Sequence, residues 1–386
     1  MSLLKNKYKK TKLGNLPIEW KMVKISDVGN VITGSTPSTK KSEYYGGDYF
    51  FVSPMDIDNK KYVESTVRKL SKKGFRISRI VPKNSVLVTC IGSTIGKIAM
   101  SNRKVATNQQ INSIDCYDEF NCDYIYYALD YYFNLRKRMF IAHQAVPIIN
   151  KTEFSKFPLP VPKIEEQDKI ATIFSTWDKA IELKEKLIEQ KKEQKKGLMQ
   201  KLLTGEVRLP GTDGNFSMYK LNQILIVRHG RNQKKVEDEN GAYPILGTGG
   251  QIGRANQYLY DKESVLIGRK GTIDRPFYMD KPFWTVDTLF YTEINEGFYP
   301  KYIYYLFNRI PWRRFNEASG VPSLSASTIG SIKVSIPNYK TQKRIALILT
   351  KVDEELFLLK KEVQLLNEQK KGLMQRLLTG KIRVKV

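Results

Sequence analysis

The sequence predicts a mixed α+β protein: two α/β domains separated by two long helices, the helices forming an antiparallel coiled coil and the chain repeating about a pseudo-twofold axis. Three observations carry this prediction. A twelve-residue stretch recurs almost unchanged, each copy sits within a heptad of apolar residues, and the two remaining segments show short strand-like runs broken by Gly-rich turns.

The repeat is explicit at residues 194–205, QKKGLMQKLLTG, and residues 369–380, QKKGLMQRLLTG, which lie 175 positions apart and differ only at Lys201 against Arg376. The same offset holds upstream without a gap at Gln167/Gln342, Ile170/Ile345, Ala171/Ala346, Ile173/Ile348 and Asp178/Asp353, and reaches Pro162/Pro337 and Val146-Pro147 against Val321-Pro322. Weaker matches join Tyr124–Tyr127 to Tyr302–Tyr305, Val86–Val88 to Val265–Ile267, and Trp20–Met22 to Tyr219–Leu221, with the first copy the longer. The matching segments share one task, and the diverged segments do related tasks on different targets.

The matching segments read as helices. In the second copy, Ile345, Leu349, Val352, Leu356, Leu359, Val363, Leu366, Leu373 and Leu377 recur at steps of four and three, with Lys370 in the one gap, the a/d pattern of a coiled coil. The first copy follows with Ile170, Phe174, Trp177, Ile181, Ile188, Leu198 and Leu202, interrupted by Lys184, Lys191 and Lys195. Each helix begins just after a proline (Pro162, Pro337) and stops at a Thr-Gly (Gly205, Gly380), a common helix end. At about 39 residues each, the helices should span ~58 Å. The ends of a domain usually lie close together. The second diverged segment therefore returns the chain to where the first helix stopped, so the helices run antiparallel with a head at either end. The expected division is residues 1–162, first head; 163–205, first helix; 206–337, second head; 338–386, second helix. Within the heads, Ser85–Val88, Val265–Ile267, Leu289–Thr292 and Ile332–Ile336 read as strands, and Asp123–Tyr132 and Tyr302–Asn308 as helices.

Composition narrows the function. A hydrophobic fraction of 41% over 386 residues supports real cores. No window approaches the ~18 apolar residues of a membrane span, and MSLLKNKYKK lacks the apolar stretch of a secretory signal. Three cysteines without CxxC spacing argue against a disulfide framework and a zinc site, and fit a reducing cytoplasm. Lys+Arg exceeds Asp+Glu by 65 to 39, a net charge of +26, which favours a polyanionic partner, although solvated surface lysines are the bland alternative. The 22 tyrosines suit a nucleic-acid surface or ordinary half-buried sheet positions.

The sequence carries no recognisable catalytic motif. The two histidines, His143 and His229, fall one per head; HExxH, GxSxG, GxxxxGK[ST] and Cys/His zinc spacings are absent, and the Gly92–Lys97 turn has the wrong spacing for a phosphate loop. No cofactor is expected in this chain. The candidate nucleic-acid surfaces are polar, basic loops. In the first head they comprise Ser35, Thr36, Ser38, Thr39, Lys40 and Lys41; Ser93, Thr94 and Lys97; Asn108, Gln109 and Gln110; and His143 and Gln144. In the second they comprise Arg228, Arg231, Gln233, Lys234 and Lys235; Arg269, Lys270, Thr272 and Arg275; and Arg313 and Arg314. Arg reads guanine and Asn or Gln reads adenine, while Lys, Ser and Thr mostly hold phosphates. Any single loop residue is more often simply solvated, so the clusters carry the weight.

With these residues laid out, the chain resembles the specificity subunits of type I restriction–modification systems over nearly its full length. The resemblance rests on the paired QKKGLMQ[KR]LLTG helix ends, the PKIEEQDKIATIF run of Pro162–Phe174, the opening Leu16–Trp20 and the Gly268–Thr272 turn. It departs at Thr341-Gln342, where Glu-Gln is usual, and at Tyr219, where Trp is common. The resemblance implies that each head is a target recognition domain for one half of a split sequence in double-stranded DNA. It implies that the coiled coil sets the spacing and docks two modification (methyltransferase) subunits. Those subunits would carry S-adenosylmethionine, and motor–nuclease (restriction) subunits would use ATP and Mg. On this reading the chain is not an enzyme, meets no membrane and is cytoplasmic. Two other classes stay open on the residues alone: a DNA-modifying enzyme with an unrecognised site, which would methylate DNA without partners, and a coiled-coil scaffold without DNA reading, which would tolerate loss of the basic loops.

Overall fold

A computed structural model describes residues 8–58, 60–141, 147–211 and 215–385, with the backbone alone for residues 137–141. The chain forms two compact units, Met1–Lys184 with Glu362–Val386, and Glu185–Lys361, so each unit holds one head and part of both long helices.

In the first unit, the strands Gly29–Thr33, Ile111–Cys116, Val86–Thr89 and Ile98–Met100 form an antiparallel sheet in that order. Val86 and Val88 pack with Ile125, Leu129 and Phe133 of the helix Cys122–Ile141. Leu87 packs on the other face with Phe50, Val52 and Val81. The strand is covered on both sides, which is why it is apolar throughout rather than alternating. The second sheet runs Arg68–Leu70, Tyr45–Val52, Val105–Thr107, Ile80–Val81.

The second unit repeats the plan. Its four-stranded sheet is Leu225–His229, Leu289–Ile294, Ser264–Gly268 and Phe277–Met279, and its other sheet is Gly250–Ala255, Tyr243–Gly247 and Trp284–Thr285. Val265 and Ile267 pack with Ile303, Leu306 and Phe307 of the helix Pro300–Arg309, while Leu266 packs with Leu246 and Phe283. The expected strands and helices are thus present with bounds shifted by one or two residues, except that the helix expected at Asp123–Tyr132 runs from Cys122 to Ile141. The stretch from Val52 to Val86 is twice as long as that from Gly247 to Ser264, and it carries a helix, Lys72–Ile77, and the strand Ile80–Val81. This insertion supplies most of the extra length of the first copy.

Two expectations need correction. The strand Lys21–Lys24 pairs with Pro158–Val161, and Phe216–Lys220 with Lys333–Pro337. Because Pro158 opposes Lys24 and Lys333 opposes Lys220, Lys24 answers Lys220 and Trp20 answers Phe216, not Tyr219. The glycines agree: a Cβ on Gly380 would strike Pro17 and Trp20, and one on Gly205 would strike Phe216. An aromatic residue followed by lysine is too short a signal to fix register; ladder hydrogen bonds fix it. The second correction concerns the cysteines. Cys116 and Cys122, with Cα atoms 5.8 Å apart, are joined across the turn between a strand end and a helix start, and Cys90 is buried and free.

The long helices are Ile164–Thr204 and Tyr339–Leu377. Each start is tied by a buried glutamine. Gln167 donates to the Pro162 carbonyl (3.0 Å) and accepts from the Asn121 N–H (3.0 Å); Gln342 donates to Pro337 (2.9 Å) and accepts from the Tyr299 N–H (2.8 Å). Every expected heptad residue is buried or half-buried. In the first unit Asp178 pairs with Lys370 and Lys184 with Glu362 (2.7 Å); in the second Lys191 pairs with Glu355 (2.8 Å) and Lys195 with Asp353 (2.6 Å). Within each unit one partner number rises as the other falls, so the segments run antiparallel. The lysines that interrupt the heptads are therefore half of a set of cross-helix ion pairs. The helix ends close the head cores. Met374, Leu377 and Leu378 bury in the first, and Leu202 and Leu203 in the second, before glycines at φ +65 and +74 turn the chain. Among the described residues, no helix is long and apolar enough to cross a membrane.

Candidate nucleic-acid interface

The strand registers decide which loops meet. In the first head, Thr33 opposes Asn112 and Thr89 opposes Ile111, so the loops after Thr33, before Ile111 and after Thr89 leave one end of the sheet. Gly34 makes the first crossing possible, since a Cβ there would lie 2.1 Å from the Asn108 carbonyl oxygen. The Ser35 N–H then donates to the Thr107 carbonyl (2.9 Å), Thr36 Oγ1 to Gln109 Oε1 (2.6 Å), and Asn108 Nδ2 to Gln110 Oε1 (2.9 Å). Tyr45 Oη donates to the Pro37 carbonyl (2.7 Å), holding the loop that exposes Ser38, Thr39, Lys40 and Lys41. Gly92, at φ +87, donates its N–H to the Pro147 carbonyl (2.9 Å), leaving Ser93 exposed and Thr94 half-buried. Lys97 turns away to donate to the Pro54 and Ile57 carbonyls (3.3 and 2.8 Å), bracing a neighbouring loop. His143 and Gln144 lie outside the described residues.

The second head gathers its loops at the matching end, where His229 and Ile267 both oppose Phe290. Gly230 crosses at the equivalent place, 2.1 Å from the Val286 carbonyl for a notional Cβ, and the Arg231 N–H donates to Thr285 (2.8 Å). Arg231, Lys234 and Lys235 are exposed and Gln233 half-buried. Gly271, at φ +89, donates to the Pro322 carbonyl (2.8 Å), flanked by exposed Lys270 and half-buried Thr272. Three arginines carry acidic partners: Arg269 on Asp287 (2.8 Å), Arg313 on Asp274 (2.5 Å) and Arg228 on Glu293 (2.9 Å). The Arg313 guanidinium holds the Asp274 carboxyl below the usual carboxylate range. Arg275 and Arg314 are exposed.

The backbone frames superpose hydrogen bond by hydrogen bond. Cys90 N–H donates to Gln110 and Arg269 N–H to Thr288; Cys90 O accepts from Ile149 and Arg269 O from Leu324. The equivalent positions hold different side chains. Cys90 is buried, its thiol pushed up to about 12 by burial, where the second head presents Arg269; Gln109 answers Asp287, and Ser35 answers Arg231. Such loops can present amide, hydroxyl and guanidinium groups to base edges and phosphates. Among the described residues, no three His, Cys, Asp or Glu side chains are grouped to hold a metal ion.

A scaffold built twice, with polar and basic loops at the same end of each copy and different residues on them, makes this a duplicated two-domain chain. The chain belongs to the type I restriction modification DNA specificity domain family, whose model matches residues 17–192 and 214–368, once per copy. It is 33% identical to the type I restriction enzyme MjaIX specificity subunit of Methanocaldococcus jannaschii over 46% of this chain, and 32% identical to the HindI specificity subunit of Haemophilus influenzae over 50%. The chain spans 42% of the length of each of those two relatives. Against the MjaVIII specificity subunit of M. jannaschii it is 24% identical, covering 96% of this chain and 94% of the relative. The fold matches the crystal structure of the type I restriction-modification S subunit from M. genitalium with a TM-score of 0.62 at 20% identity, covering 95% and 98% of the two chains.

Proposed function

We propose that this chain is the DNA-reading specificity subunit of a type I restriction–modification complex and carries out no reaction itself. Each head reads one half of a bipartite target, and the paired helices set the spacing and dock two methyltransferase subunits. S-adenosylmethionine belongs to those subunits, and ATP and Mg to motor–nuclease partners. The observation that carries the reading is the pairing of one backbone frame with two sets of loop side chains, Cys90, Gln109 and Ser35 against Arg269, Asp287 and Arg231. A frame reused with different loops suits two targets read in the same way. The loop residues named above, other than the inward-turned Lys97 and the buried Cys90, are proposed as the reading surface. The test is a footprint of the chain with its methyltransferase partner on genomic targets. Two short protected blocks with an unread gap are expected, and binding that weakens steeply with salt. One continuous block would contradict the reading.

A further inference from the structure

The insertion that lengthens the first head is the most basic stretch of the described surface outside the loops already discussed. Residues 68–83 hold seven Lys or Arg and no Asp or Glu. Arg68, Lys69, Lys72, Lys73, Arg76 and Arg79 are all exposed. The segment is docked rather than dangling. Ser71 caps the helix Lys72–Ile77 by accepting from the Gly74 N–H (3.1 Å), and Phe75 stacks on Tyr49 at 4.5 Å. Gly74 lies so close to Tyr44 that a Cβ would fall 2.1 Å from its carbonyl oxygen. It is also joined to the candidate reading loop: the Arg79 N–H donates to Ser35 Oγ (3.1 Å), and its guanidinium to the Thr33 carbonyl (3.0 Å). Between the two lies an open groove of about 560 Å3 lined by Thr39, Gly46, Gly47, Thr66, Arg68 and Lys69. Gly46, at φ +82, would have nothing within 4 Å of a Cβ, so the groove floor is bare backbone.

We propose that this insertion is a phosphate clamp: Arg68, Lys69, Lys72 and Arg76 grip the DNA backbone beside the half-site read by the first head. The proposal rests on the DNA-reading function above. Cations fixed on a docked segment beside a reading loop can neutralise phosphates of a bound duplex, and the absence of Asn or Gln from residues 68–83 leaves amide reading of adenine to the neighbouring loops. Between Gly247 and Ser264 the second head has no helix, so the clamp makes the two half-sites unequal in phosphate binding.

The experiment compares the complex of full chain and methyltransferase partner with its R68A/K69A/K72A/R76A variant. Binding to target duplex is measured across salt concentration, and methylation is mapped. The slope of log affinity against log salt should fall by about 0.9 for each phosphate no longer neutralised. Both half-site sequences should stay as in the wild type. The conservative R68K/R76K variant should keep the slope, because lysine holds phosphate as a point charge. A quadruple variant with wild-type slope would overturn the clamp. A changed base preference in either variant would also overturn it, by making these residues base readers. A wild-type complex that bound no target would overturn the DNA-reading function instead.

Discussion

The two heads share a frame and differ at both of its ends. At the loop end, matching backbone hydrogen bonds carry Cys90 in one head and Arg269 in the other. At the helix end, the first head has a polar latch: buried Glu166 accepts from Trp20 Nε1 (3.3 Å) and from Arg383 (2.6 and 2.8 Å), and Arg383 also reaches Glu19 (3.0 Å). The second head has Thr341 where Glu166 stands and Phe216 where Trp20 stands, and Arg208, the repeat partner of Arg383, is exposed. An indole needs an acceptor and a phenyl ring does not. Losing the carboxylate and losing the indole are therefore one coupled change. Backbone frame and apolar interior hold the heads to one plan, while polar side chains at either end vary as coupled sets.

The seam should behave alike in both units. Phe174 and Leu349 are repeat partners, each fully buried in the core of its own unit. Phe174→Asp and Leu349→Asp should each cost about 4 kcal/mol or more, combining a lost apolar side chain with an unpaired buried charge. We predict lowered thermal unfolding in both and, with partner present, methylation lost at all sites together. If one variant melted and methylated as wild type, the seams would not be equivalent.

The latch should separate the heads by a smaller amount. Arg383→Ala leaves the Glu166 carboxylate with only the indole. The loss should be about 2 kcal/mol, below the ~3–5 kcal/mol of a fully enclosed pair, because Arg383 keeps 39% of its side chain exposed. Arg208→Ala should change stability by under about 0.5 kcal/mol, as for an ordinary surface residue. Equal losses in chemical denaturation would remove the asymmetry.

The repeat and heptads were legible because period and identity are local properties of sequence. Lys184, Lys191, Lys195 and Lys370 could be read only as gaps, since their partners Glu362, Glu355, Asp353 and Asp178 are assigned by the stagger of two helices. The loops were legible as clusters, but not the inward turn of Lys97 or the pairing of Arg269 with Asp287, which depend on what the fold brings near. The basic run at residues 68–79 is plain in the sequence. It crosses a strand, a cap and a helix, so no single element announced it.

The central claim is that the heads read separately on a spacing set elsewhere. The most direct measurement is a methylation map of two variants: Arg269→Ala, and a chain whose residues 217–336 come from another specificity subunit. Arg269→Ala should cost about 1–3 kcal/mol and relax one position of one half-site. The exchanged head should change that half-site alone, with the other half-site and the gap unchanged. An exchange that altered both half-sites, or neither, would contradict the account.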